Sequence, residues 1–164
     1  MKIKNLLKCQ RAKLDFGQKV IIKSVISMLN LYGDDVLEVS NNGILASNGI
    51  WDGLNCQICA VIDNKRTCKY LCGNNVNARI TYFSGELSFL IGGQYDIVFL
   101  FNYIDETNLL MLLNQSFVHL ADDGRIVVLN TDKVISEKSV KKLNIPYKYT
   151  ATFDDKFSLI VLTN

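Results

Sequence analysis

The sequence predicts an α/β domain: a mostly parallel sheet with helices on both faces and an antiparallel pair of strands at its carboxyl end. Three observations carry this. Short apolar runs rich in β-branched residues alternate with stretches of helical period, the order that gives parallel strands joined by covering helices. Some of those runs, such as Cys56 to Ile62 and Tyr95 to Phe101, are apolar along most of their length, as strands buried on both faces are. The last two runs, Tyr147 to Phe153 and Phe157 to Leu162, are separated only by Asp154-Asp155-Lys156 and read as a hairpin, or at least as two adjacent antiparallel strands.

The elements follow in chain order. Gly17 to Leu31 places Val20, Ile21, Ser24, Val25, Met28 and Leu29 at helical spacing with Lys19 and Lys23 opposite, an amphipathic helix packed on the domain. Gly33-Asp34-Asp35 ends it, and Val36-Leu37-Glu38-Val39 reads as a short buried strand closed by the turn-forming run Ser40-Asn41-Asn42-Gly43. A helix over Ile44 to Leu54, a strand over Cys56 to Ile62 ending at Asp63, and a helix over Asn64 to Leu71 with Gly73 beyond it come next. Strands over Ala78 to Phe83 and Tyr95 to Phe101 precede a helix from Leu109 to Leu120. Asp122-Asp123-Gly124 reads as a turn, Arg125 to Leu129 as a β-branched strand, and about Ser136 to Leu143 as a short helix before the terminal pair.

Bulk properties bound the function. A chain of 164 residues has the size of one domain, so 1–164 is read as a single unit, with residues 1–31 a basic segment and a helix packed on it. Hydrophobic residues make up 49% and charged residues 21%, far from the regime of disordered chains. With no apolar run of about eighteen residues, and lysines interrupting the first residues, a soluble cytoplasmic protein without a membrane partner is expected. Five cysteines without an export signal are read as reduced thiols.

Charge is unevenly placed: residues 1–23 carry +6 and the remainder −4. A basic arm of this kind can contact phosphates, but without interleaved aromatics or arginines a solvated terminal segment is the favoured reading. Cys56, Cys59, Cys68 and Cys72 have a spacing that suggests zinc. However, residues three apart on a strand point to opposite faces, so core packing is favoured and no metal is expected. His119, the single histidine, sits at a helix end and is read as a hydrogen-bonding group there.

Several short motifs then carry a family resemblance. Val36-Leu37-Glu38-Val39 with Gly43-Ile44-Leu45-Ala46, Asp63 at the end of the second strand, Phe83-Ser84-Gly85-Glu86-Leu87, Tyr95 to Leu100, and Leu120 to Val128 resemble, in order, the motifs of the class I S-adenosylmethionine-dependent methyltransferases. The resemblance spans about Phe16 to Asn164 and implies a Rossmann-like fold with an antiparallel carboxyl-terminal strand. It implies S-adenosylmethionine as cofactor, bound by Glu38, Ser40, Asn42, Gly43, Asp63, Asn64, Gly85 and Glu86. Asp63 would meet the ribose hydroxyls and Gly85-Glu86 the adenine. Asn102-Tyr103 is similar to the motif with which amino-group methyltransferases orient the target amine, which makes these two the catalytic candidates, although the two prolines of that motif are missing.

The chain departs from the family at the first loop. Three glycines are usual there; this chain has Ser40-Asn41-Asn42-Gly43, one residue shorter and with a single glycine. Asn is the best substitute for glycine at positive φ, so the turn itself is compatible with the sequence. The added side chains compete with the methionine half of the cofactor, and a loss of about 3 kcal/mol weakens binding roughly a hundredfold. Two functions therefore stand. One is methyl transfer to an RNA or small-molecule acceptor. The other is a cofactor-free methyltransferase-like domain serving as a binding or structural partner, with RNA or an acidic protein against its basic segment. Glu38 and Asp63 also have a purely structural reading, as strand-end carboxylates that cap the following helix or turn.

Overall fold

The computed structural model describes residues 13–87, 93–102, 104–105 and 107–163. Helix α1 (Phe16–Leu29) starts at a capping box, in which Asp15 accepts from the Gln18 amide while the Gln18 side chain accepts from the Asp15 amide, and it stops at Asn30 with φ 53°. Its buried stripe is Ile22, Val25, Ile26 and Leu29. Val20 and Met28, expected on that stripe, are exposed. The apolar positions of this helix exceed one face, so spacing alone did not fix which of them turn inward.

Strand β1 (Asp35–Ser40) leads through the turn Asn41–Gly43 into α2 (Ile44–Ser47). The helix expected over Ile44 to Leu54 is only this single turn, because Gly49 and Gly53 sit at φ 70° and 78° and bend the chain away. Then come β2 (Gln57–Ile62), α3 (Lys65–Gly73), β3 (Ile80–Ser84), β4 (Tyr95–Phe101) and α4 (Leu109–Phe117). Strand β5 runs from Leu120 to Asn130, followed by α5 (Glu137–Lys142) and the hairpin of β6 (Lys148–Phe153) and β7 (Ser158–Thr163). Asp122-Asp123-Gly124, expected to be a turn, lies inside β5, where the pairing with β4 shifts between Tyr95↔Leu120 and Ile97↔Arg125. The extra residues are absorbed as a bulge, a device that keeps a strand continuous where composition alone signals a break.

All seven strands form one sheet in the order β3-β2-β1-β4-β5-β7-β6. The first five are parallel, and β7 pairs antiparallel with both β5 and β6. Alternation along the strands divides the core into two layers. Val36, Ile58, Ala60, Phe99 and Val127 pack with α1 and α3 on one face; Leu37, Val39, Val61, Val98 and Ile126 pack with α4 and Val140 of α5 on the other. Trp51 seals the first layer edge-on against Phe99, with ring centroids 5.6 Å apart. The strand order reverses between β1 and β4, and in open α/β sheets ligands bind outside the carboxyl ends of the strands at such a switch point.

Candidate functional site

The carboxyl ends of the strands form one rim, and their registers fix what lies side by side. Ser40 pairs with Phe101, so the β1 turn adjoins Asn102; Ile62 pairs with Ser84, so Asp63 adjoins Gly85.

At the β1 end, Glu38 faces the α1 layer and is fully buried. Its Oε1 accepts from Ser40 Oγ at 2.5 Å and from the Leu45 amide at 3.0 Å; its Oε2 accepts from the Ala46 amide at 2.9 Å and from Trp51 Nε1 at 2.7 Å. Ser40 Oγ in turn accepts from the Ile44 amide at 3.0 Å. The first turn of α2 therefore has three of its orphan amides taken up within the chain. Burial pushes the Glu38 carboxyl above its ordinary range, and the four donors oppose that shift. The turn itself carries two consecutive left-handed residues, Asn42 (φ 51°) and Gly43 (φ 62°). A Cβ on Gly43 would lie 2.5 Å from Ile62 Cδ1, so the turn rests directly on the end of β2. Asn42 Nδ2 donates to Asn41 Oδ1 at 3.1 Å, while Asn42 Oδ1 is buried with no hydrogen-bond donor among the described residues.

At the β2 and β3 ends, Asp63 is exposed on the rim, and Asn64 caps α3 by accepting from the Arg66 and Thr67 amides at 2.9 and 3.1 Å. The Gly85 amide donates to Ile62 O at 3.1 Å, and the Gly85 φ of 152° excludes other residues without strain. Glu86 is exposed beside it. At the β4 end, Asn102 (φ 48°) turns its side chain to β5: Oδ1 accepts from the Thr131 amide at 2.6 Å and Nδ2 donates to Thr131 Oγ1 at 2.9 Å. A hollow of ≈ 190 Å³ opens there between Asn102, Ile104, Asp105, Asn130, Asp132 and Lys133. Tyr103 lies outside the described residues.

Ser40, Asn42, Gly43, Asp63, Gly85, Glu86 and Asn102 do come to one rim. Glu38, Ser40, Asn64 through its Oδ1, and Asn102 spend hydrogen bonds on the chain itself and so shape the rim, while Asn102 also borders the hollow at the β4 end. Trp51, Ile62 and Thr131 are essential to this arrangement and had no motif to announce them; a single tryptophan beside a strand-end acid is the one hint the sequence offers. His119 is elsewhere: its carbonyl accepts from the Tyr95 amide, at the amino end of β4. Cys56 and Cys59 pack in opposite layers, while Cys68 and Cys72 share α3 with their sulfurs 4.0 Å apart. Burial, helped by the neighbouring Cys72, pushes the Cys68 thiol up to about 11, so it stays protonated near neutral pH. No helix among the described residues is long and apolar enough to cross a membrane.

Solved structures place this architecture. A methyltransferase from Pyrococcus furiosus superposes with a TM-score of 0.66 at 17% identity, over 89% of this chain and 82% of its own. The candidate methyltransferase yhhF of Escherichia coli matches with a TM-score of 0.69 at 13% identity, over 93% of this chain and 88% of its own. A candidate S-adenosyl-L-methionine-dependent methyltransferase from Methanococcus maripaludis matches with a TM-score of 0.68 at 12% identity, over 89% and 84%. No family model and no curated protein matches the sequence. At these identities the likeness defines the fold: the chain has the Rossmann-like fold of the class I methyltransferases, with the antiparallel carboxyl-terminal strand.

Proposed function

We propose that this chain is an S-adenosylmethionine-dependent methyltransferase whose cofactor lies over the β1 turn and the end of β2. The observation that carries the reading is Asn42. At the topological switch point its amide oxygen is buried without a donor, and an ammonium group above the turn, such as that of the cofactor's methionine half, supplies one. Asp63, exposed one residue beyond β2, offers a carboxylate to ribose hydroxyls. Gly85 and Glu86 border the same end of the rim and are placed toward the adenine. When bound, the cofactor supplies a sulfonium methyl group to a nucleophile on the acceptor. The protein's share is positioning: the β1 turn and Asp63 fix the cofactor, and the acceptor approaches over the β4 and β5 ends, where the hollow beside Asn102 lies. Asn102 keeps the strand end in shape through Thr131, and Tyr103 remains the aromatic candidate beside the acceptor. An RNA or a small molecule is the acceptor class.

A second reading, a cofactor-free domain that binds a partner, is favoured by one specific observation. The amides of residues 44–46, which a ligand at a helix N-terminus would use, already bind Glu38 and Ser40. Calorimetric titration with S-adenosylmethionine and S-adenosylhomocysteine separates the two. Micromolar binding that weakens at least about tenfold, or 1.4 kcal/mol, in Asp63→Ala supports the enzyme. No heat at millimolar ligand ends that reading, and unchanged affinity in Asp63→Ala ends the placement of the ribose.

A further inference from the structure

Strand β6 is the last strand of the sheet, and among the described residues no strand pairs with its outer edge. Its residues Lys148 to Thr152 are all exposed, and its pairing with β7 is continuous from Lys148↔Thr163 to Phe153↔Ser158, with no bulge to turn the edge away. A straight six-residue edge without a central charge or proline is a template for another strand, and natural sheets rarely leave one unguarded.

The residues along this edge complement themselves. When two copies of one strand pair antiparallel about a two-fold axis normal to the sheet, residues opposite each other must point to the same face, so they must be an even number of positions apart. Centring the axis on Ala151 satisfies this. It sets Lys148 against Asp154 of the second copy, Tyr149 against Phe153, Thr150 against Thr152, and Ala151 against itself. Opposite charges, an aromatic pair and a threonine pair are the cross-strand combinations that stabilise antiparallel sheets, each by about 0.2 to 1 kcal/mol. Neighbouring allowed registers lack this. Centring on Thr152 opposes Lys148 to Lys156, and centring on Thr150 leaves Lys148 against Thr152 and Asp154 against Pro146.

The face of β6 that carries Tyr149, Ala151 and Phe153 also floors a groove of ≈ 410 Å³ whose other wall is Glu137, Val140 and Lys141 of α5. Tyr149 keeps 37% of its surface exposed there, and the second copy's Phe153 would meet it directly. We propose that two copies of this chain associate through β6, joining their sheets into one about a two-fold axis at Ala151. The β6 edge lies at the opposite end of the sheet from β1 and β2, so the dimer leaves the candidate site open and does not depend on its being catalytic.

A single strand junction buries less than the roughly 1,200 Å² of stable complexes, so association is expected at protein concentrations on the order of 100 µM. Sedimentation equilibrium of the full chain should then show twice the 18.5 kDa chain mass. Ala151 is exposed, so Ala151→Glu and Ala151→Lys are expected to fold while placing like charges face to face at the axis. Each alone should weaken association at least about tenfold, and an equimolar mixture should restore it as a heterodimer. Circular dichroism of each variant confirms folding. A chain monomeric even at about 1 mM, with the edge free or reserved for a different protein, overturns the proposal. So does either variant that still self-associates, or a mixture that stays monomeric.

Discussion

The turns after β1 and β4 each hold an asparagine at positive φ, Asn42 at 51° and Asn102 at 48°, yet they are clamped by different chemistry. The β1 turn is organised by a buried carboxylate that gathers two backbone amides, a hydroxyl and an indole. The β4 turn is organised by a neutral amide bonded to Thr131, at partial exposure. A charge taken out of water is stabilising only while every donor is in place, and it makes the turn sensitive to protonation. An amide asks less of its surroundings and is indifferent to pH. Perturbing the first turn should therefore propagate into the core, whereas perturbing the second should stay local.

The largest expected effect follows from removing the clamp. Glu38→Ala orphans the Leu45 and Ala46 amides and the Trp51 indole together, each a buried donor costing about 1 to 3 kcal/mol. A loss of about 4 kcal/mol in urea denaturation is expected, a large share of a typical domain's stability. Protonation gives a sharper reading of the same group. Burial raises the folded-state value of Glu38 above its ordinary 4.5, so the folded chain holds this proton more tightly than the unfolded chain. That stability contribution is fully present below the unfolded value and is lost as pH rises through the raised one. Measured against Glu38→Gln, the wild type should lose relative stability as pH rises above the ordinary 4.5. The opposite slope would show that the four donors outweigh burial.

Gly43 tests how tightly the β1 turn is seated. Alanine there keeps a left-handed conformation that costs about 1 kcal/mol and drives its Cβ into Ile62 Cδ1. Gly43→Ala is expected to lose about 2 to 3 kcal/mol. Ile62→Val removes the obstructing methyl at a cost of about 1 kcal/mol. Combined, the two should destabilise by less than their sum, by about 1 kcal/mol, because the second relieves the clash made by the first. Strict additivity would mean that backbone strain alone accounts for the effect, and that the turn does not press on β2.

How much of this was legible in the sequence depends on which interactions are local. The bounds of β4 and the hairpin at the end follow from apolar runs and their punctuation, which act over a few residues. The capping role of Glu38 was one of two readings open to a strand-end acid. Its fourth donor, Trp51, is at most hinted at by being the single tryptophan, because the chain between them makes an irregular loop where a helix is expected. The shortening of α2 depends on Gly49 and Gly53 adopting positive φ, which glycine permits but does not announce. The bulge at Asp122-Asp123-Gly124 needs the pairing partner β4 to be known. The sequence places Asn102 at the end of β4 as a catalytic candidate, but its bonds to Thr131, 29 residues away in sequence, need the fold to bring the two together.

Those bonds give the smallest and most discriminating test of the comparison. If Asn102 only shapes the turn, what matters is its left-handed backbone and its bonds to Thr131, and the two can be separated. Asn102→Ala gives up both and should cost about 2 kcal/mol. Asn102→Gly gives up the bonds but accepts φ 48° freely, so it should cost about 1 kcal/mol. Neither loss should change with pH, because no titrating group is removed. A glycine variant as damaged as the alanine one would mean that backbone conformation contributes nothing. A loss in either variant that shrank as pH rose, as expected for Glu38, would mean that the two turns are not independent clamps but are coupled across the Ser40 and Phe101 pair.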